Sequence, residues 1–101
     1  RLTGKNGSYL IYKTPLNISK IKIDFFLTDE NGDIKIFTGN NIDSLQEVIP
    51  EKQVFKFGKN DYNFFDAVRY TINNVPEDSR FVKIVLNEGI QISRVEIKYQ
   101  P

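Results

Sequence analysis

Apolar and polar residues alternate one for one along much of this chain, and a period of two points to strands rather than helices. Residues 20–27 read Lys-Ile-Lys-Ile-Asp-Phe-Phe-Leu, with Ile21, Ile23 and Phe25 on one face and Lys22 and Asp24 on the other. A strand of this kind buries one side and leaves the other wet. The same reading predicts strands over residues 8–13, ended by Thr14-Pro15, and over 34–38. Proline has no ladder donor and closes such a segment. The polar residues 29–33 then make a turn, so 20–27 and 34–38 are expected to pair as a hairpin.

Further on, 45–49 and 54–57 are short apolar pieces on either side of Pro50, expected as brief edge strands. Residues 64–72 and 91–99 are strands, the last with Ser93, Val95, Ile97 and Tyr99 facing one way and Arg94, Glu96 and Lys98 the other. The run 80–86, Arg-Phe-Val-Lys-Ile-Val-Leu, is almost continuously apolar and predicts a central strand covered on both sides. Seven or eight short strands, with turns every eight to twelve residues, give an all-β antiparallel sandwich. Ala67 is the only alanine among thirteen isoleucines, a usage that disfavours helix and favours strand. We take the surplus of isoleucine, lysine and asparagine as the sign of an AT-rich coding genome, and expect a bacterial source.

At 101 residues one core is expected, residues 1–101 forming a single β-sandwich module. The chain starts at Arg1 and holds no methionine, and residues 1–8 lack the apolar segment of a signal peptide. These features predict a module excised from a larger protein. Lysine and arginine number 14 against 13 acids, interspersed, for a net charge of +1. Such a balance gives no long-range field to gather nucleic acid or anionic lipid, so neither nucleic acid nor membrane is an expected partner. The chain has no cysteine and no histidine. Disulfides, thiolate metal sites, Cys-His and Ser-His-Asp triads and the usual neutral-pH general base are all excluded within it.

One stretch carries a family likeness. Val68-Arg69-Tyr70-Thr71-Ile72, the turn Asn73-Asn74-Val75-Pro76-Glu77-Asp78 and the strand Phe81-Val82-Lys83-Ile84-Val85-Leu86 resemble the penultimate strands of the galactose-binding-like, discoidin-type β-sandwich. Residues 92–99 resemble its last strand, 8–13 and 18–26 its opening pair, and Asp33-Ile34-Lys35-Ile36-Phe37-Thr38 the strand before a polar turn at 39–44. Within that superfamily the likeness is to accessory carbohydrate-binding modules of bacterial glycoside hydrolases. The resemblance implies a jelly-roll sandwich, frequently sugar-binding, that requires no cofactor but is sometimes stabilised by a structural calcium ion.

Sugar recognition needs apolar ring faces to stack on pyranose C–H groups, beside amides or charges for the hydroxyls. The segment from Phe57 to Phe65 supplies that mixture, and a ligand site of Asn60, Tyr62, Asn63 and Phe64 is predicted there, with Asn40 in the turn 39–43 as a second candidate. The competing reading makes Phe57, Phe64 and Phe65 strand ends in the core, and the asparagines simple turn formers. Asp29, Asn31 and Asp33 alternate like the early ligands of a calcium loop, but the later glycine and the distal glutamate are missing, which favours a plain turn. Asn17-Ile18-Ser19 matches a glycosylation sequon, incidental in a bacterial protein. Carboxylate pairs drawn from Asp24, Asp66, Glu88 and Glu96 arise readily among thirteen acids, and no enzyme is expected.

The resulting expectation is a non-catalytic module, extracellular and either secreted or on the cell surface. It would bind a polysaccharide or glycan with modest affinity and target a neighbouring catalytic domain in its parent glycoside hydrolase. The alternative is a structural or protein-interaction module of a multidomain extracellular enzyme that binds no sugar.

Overall fold

The computed structural model describes residues 2–3, 8–27, 32–56, 66–87 and 89–100. These residues contain strands and no helix: β1 (Leu2–Thr3), β2 (Ser8–Lys13), β3 (Ile18–Leu27), β4 (Ile34–Gly39), β5 (Gln46–Val48), β6 (Glu51–Lys56), β7 (Asp66–Ile72), β8 (Phe81–Leu86) and β9 (Ile90–Tyr99). They form two antiparallel sheets, a five-stranded one in the order β1-β9-β3-β7-β6 and a four-stranded one in the order β2-β8-β4-β5. All-β architecture, read from the alternation, is what the structure has.

One core joins the sheets. Ile18, Ile21, Ile23, Phe25, Val68, Tyr70, Ile72, Ile90 and Ile92 come from the larger sheet, and Ile34, Ile36, Val82, Ile84 and Leu86 from the smaller. Each buried aliphatic contributes roughly 2 kcal/mol of transfer free energy before chain entropy is counted. At its centre the Phe25 and Tyr70 rings meet edge to face, 5.0 Å apart and inclined at 82°, the arrangement that ring quadrupoles favour.

Three expectations are corrected. β3 and β4 do not form a hairpin. β3 is central in the large sheet, paired with β7 and β9, and β4 pairs with β8 and β5 in the other sheet. Alternation places a face toward the core but is silent on which strand lies alongside. In β9 the alternation changes phase: Ile90 and Ile92 are buried, Ser93 and Arg94 are both exposed, and Val95 and Ile97 pack on the core. Register against β3 shifts between Asp24 and Phe25, and the extra residue Ser93 donates its hydroxyl hydrogen to the Asp24 carbonyl at 3.3 Å. Ser19 does the same at the second irregularity, donating to the Lys98 carbonyl at 3.2 Å. These are β-bulges in which a serine satisfies a carbonyl near the ladder break. The third correction concerns β8: it is central, but only Val82, Ile84 and Leu86 are buried. Its other face, with Phe81, Lys83 and Val85, is half-buried and has no second sheet of the described residues over it.

Edges are handled by length and charge. β1 and β5 are short, and β6 exposes Glu51, Lys52, Gln53 and Val54, which discourages pairing with a second chain. β2 stops at Lys13, where the Thr14 N–H donates to the Arg80 carbonyl at 2.8 Å and the Thr14 hydroxyl to the Leu16 carbonyl at 2.7 Å.

Candidate functional site

Period-two geometry gives every strand a second face, and in the smaller sheet that face is unusually apolar. Leu10 and Tyr12 of β2 lean on the core, so Tyr9, Ile11 and Lys13 point outward. Burial of Val82, Ile84 and Leu86 turns Phe81, Lys83 and Val85 of β8 outward, and burial of Ile34, Ile36 and Thr38 does the same for Lys35, Phe37 and Gly39 of β4. Backbone register sets these positions in three rows: Lys13, Phe81, Gly39; then Ile11, Lys83, Phe37; then Tyr9, Val85, Lys35. Each row holds one lysine, and each holds one aromatic ring.

Tyr9 is 57 % exposed and Ile11 38 %, while Phe37, Phe81, Lys83 and Val85 are half-buried by their neighbours on the open face. The Lys83 ammonium stands 4.7 Å above the Tyr9 ring centroid, and that of Lys13 lies 5.6 Å from the centre of Phe81. Exposed cation–π contacts of this type contribute about 0.5–1 kcal/mol, enough to keep the rings and ammonium groups clustered and little enough for a ligand to displace. At the Gly39 corner the face is covered by Ser44 and Leu45. The turn that follows it is tight, since a Cβ at Gly39 would stand 3.1 Å from Leu45 Cδ2 and 3.2 Å from the Ser44 carbonyl oxygen.

The outer face of the larger sheet is different in kind. Arg69 grips Asp24 through Nε to Oδ1 at 2.8 Å and Nη2 to Oδ2 at 3.2 Å, and Glu96 lies 3.6 Å from Arg94 and 3.9 Å from Lys98. The hydrogen bonds to Asp24, and next the charge of that carboxylate, raise the Arg69 pKa further above its ordinary value. Of the four acids considered above for hydrolysis, Asp24 and Glu96 are therefore each engaged by cations, while Glu88 and the Asp66 side chain lie outside the described residues. A depression of about 290 Å³ lies beside the bulge, among Asp24, Phe26, Arg69 and Ser93. A second, of about 380 Å³, lies among Asn17, Ser19, Asn73, Asn74, Glu77 and Asp78. It offers amides and carboxylates but no aromatic ring on which a sugar could stack.

Asp33 is used in holding the fold. Its Oδ1 accepts from the Tyr70 hydroxyl at 2.7 Å and from the Ile34 N–H at 2.8 Å, while its own N–H donates to Asn87 Oδ1 at 2.7 Å. Burial first, and the hydrogen bond to Asp33 second, push the Tyr70 phenol well above its usual pKa. Among the described residues no cluster of three or more acids forms a cation site; Asp29 and Asn31 lie outside the described residues.

Of the sequence-predicted ligand residues, Asn60, Tyr62, Asn63 and Phe64 also lie outside the described residues. Asn40 is described: it is exposed, directly after Gly39 at the margin of the open face. The turn reading of its segment holds, because Asn41 Oδ1 accepts from the Asp43 N–H at 3.0 Å and the Asn41 carbonyl from Ser44 at 3.1 Å. The residues that sequence reasoning missed are Tyr9, Phe37 and Phe81 with their lysines. A signal was present: the almost continuous apolar run of β8, broken only by Lys83, has aromatic or apolar residues at both parities, which a strand wet on one side does not need. The chain matches no family model, no curated protein and no solved structure.

Proposed function

We propose that the chain is a non-catalytic carbohydrate-binding module of the galactose-binding-like type, and that the outer face of β2, β8 and β4 is its platform. The observation that carries this reading is the set of three rings, Tyr9, Phe37 and Phe81, spread over adjacent strands on an open face with a lysine in every row. Rings stack on the C–H faces of pyranoses, and ammonium groups donate to hydroxyl and carboxylate oxygens. In this role the module sits outside a bacterial cell, tethered to a catalytic domain, and raises the effective concentration of polysaccharide near it.

Strand order supports a jelly roll. A long antiparallel ribbon of eight strands pairs first with last, second with seventh, third with sixth and fourth with fifth before it rolls up. With β6 taken as an added edge strand, β1 pairs with β9, β2 with β8, β3 with β7 and β4 with β5.

Titration calorimetry of the chain against soluble plant and mucin-type polysaccharides tests the reading. Phe37→Ala and Tyr9→Ala are expected to weaken binding about tenfold each, the loss of one stacking contact, with the cooperative thermal melt retained and lowered by only a few degrees. Loss of binding in Tyr62→Ala with both platform variants unaffected would move the site to the 57–65 segment. A second reading, a module that packs on a neighbouring protein domain, is favoured by the aliphatic pair Ile11 and Val85 on the same face. It prevails if no glycan binds and the chain raises the melting temperature of its neighbouring domain.

A further inference from the structure

Resting on that platform reading, we infer that the glycan it takes is acidic, a polymer carrying carboxylates at intervals along a chain of otherwise stackable rings. Lys13, Lys83 and Lys35 occupy successive columns and successive rows of the face, so they fall on one diagonal. Strand spacing of about 4.8 Å and a two-residue rise of about 6.7 Å put neighbouring lysine positions roughly 8 Å apart. Phe81 and Phe37 form a parallel stripe on one side of this diagonal, and Ile11 and Val85 on the other, with Tyr9 at the corner. A row of cations bordered by apolar stripes complements a chain with a row of anions bordered by C–H faces.

Charge on the rest of the molecule sharpens the contrast. On the opposite outer face Asp24 is held by Arg69, and Glu96 by Arg94 and Lys98. On the platform the three lysines make no ion pair with any described carboxylate, and the acid of that face among the described residues, Glu47, stands at its far edge opposite Phe37. Three lysines without arginine suit a sparsely charged polymer better than a nucleic acid, whose dense phosphates call for many more cations. Apolar positions outnumber cationic ones on the face, which also favours a ligand with long uncharged stretches.

Binding of the chain to polygalacturonate, alginate and hyaluronan, each beside its carboxyl-reduced counterpart, with oligo-dT as a further probe, decides the matter. The acidic forms are expected to bind at least tenfold more tightly than the reduced ones, and to weaken as salt is raised and the charges are screened. Combining K13Q, K83Q and K35Q is expected to lower affinity for the acidic form about tenfold, at the strength of exposed charge pairs, and to lower affinity for the reduced form much less, so that the preference for the acidic form narrows. If the triple variant does not fold, the acidic-against-reduced comparison on the unaltered chain still decides. Equal affinity for the two forms overturns the acidic assignment and leaves the platform standing; preference for oligo-dT overturns it in favour of a nucleic-acid face. Failure of every glycan, acidic or reduced, overturns both.

Discussion

The Asp33 carboxylate at the start of β4 reaches the Tyr70 hydroxyl of β7, and so ties the two sheets by a polar contact at the border of an apolar core. Because the phenol is neutral in the folded chain and its pKa is raised, its linkage to stability runs in one direction. The contribution is whole below the ordinary tyrosine pKa and erodes as pH climbs from there toward the raised folded value. Ultraviolet titration is expected to show one phenol that ionises only with alkaline unfolding, and Tyr70→Phe is expected to cost about 1 kcal/mol and abolish that late step. Thr38 is the opposite case: it is 2 % exposed, and its hydroxyl has no hydrogen-bond partner among the described residues. An unsatisfied buried hydroxyl is a cost that a methyl group of the same shape removes. Thr38→Val is therefore expected to raise stability by about 1 kcal/mol, read as a higher denaturant midpoint at constant m value.

β8 joins two tasks in one strand. Its inward set, Val82, Ile84 and Leu86, belongs to the core, and its outward set, Phe81, Lys83 and Val85, to the platform. Ile84 is fully buried, so Ile84→Ala is expected to cost about 3 kcal/mol through lost burial and the cavity left behind. Phe81→Ala is expected to cost far less stability and to weaken glycan binding instead, a separation that denaturation and calorimetry on the two variants read directly. The strands themselves were legible because one wet face and one dry face leave a period of two, as in Ile21, Ile23 and Phe25. Pairing was not legible: β3 and β4 adjoin in sequence yet lie in different sheets, since a short polar connection serves a crossing as well as a hairpin. The bulge in β9 could have been found from the consecutive polar pair Ser93-Arg94, where the alternation changes phase. The platform escaped notice because its residues come from three separated segments, and only the register of β2 and β4 against β8 brings Tyr9, Phe37 and Phe81 onto one face.

At the scale of the molecule, the sheets divide the work. The larger one buries more of the core and carries ion pairs on its outer surface, while the smaller one carries rings and lysines that make no ion pair with a described carboxylate. In the smaller sheet β8, the central strand of the platform, is hydrogen-bonded along its length to both β2 and β4. Rings held on paired strands lose little conformational freedom on meeting a ligand, which suits the proposed binding role with few aromatics. Amide chemical-shift mapping of the chain titrated with size-fractionated polygalacturonate oligomers tests this most directly. Perturbations are expected to centre on Tyr9, Ile11, Lys35, Phe37, Phe81 and Lys83; perturbations confined to residues 57–65 or to the 73–78 turn would contradict a platform on the smaller sheet.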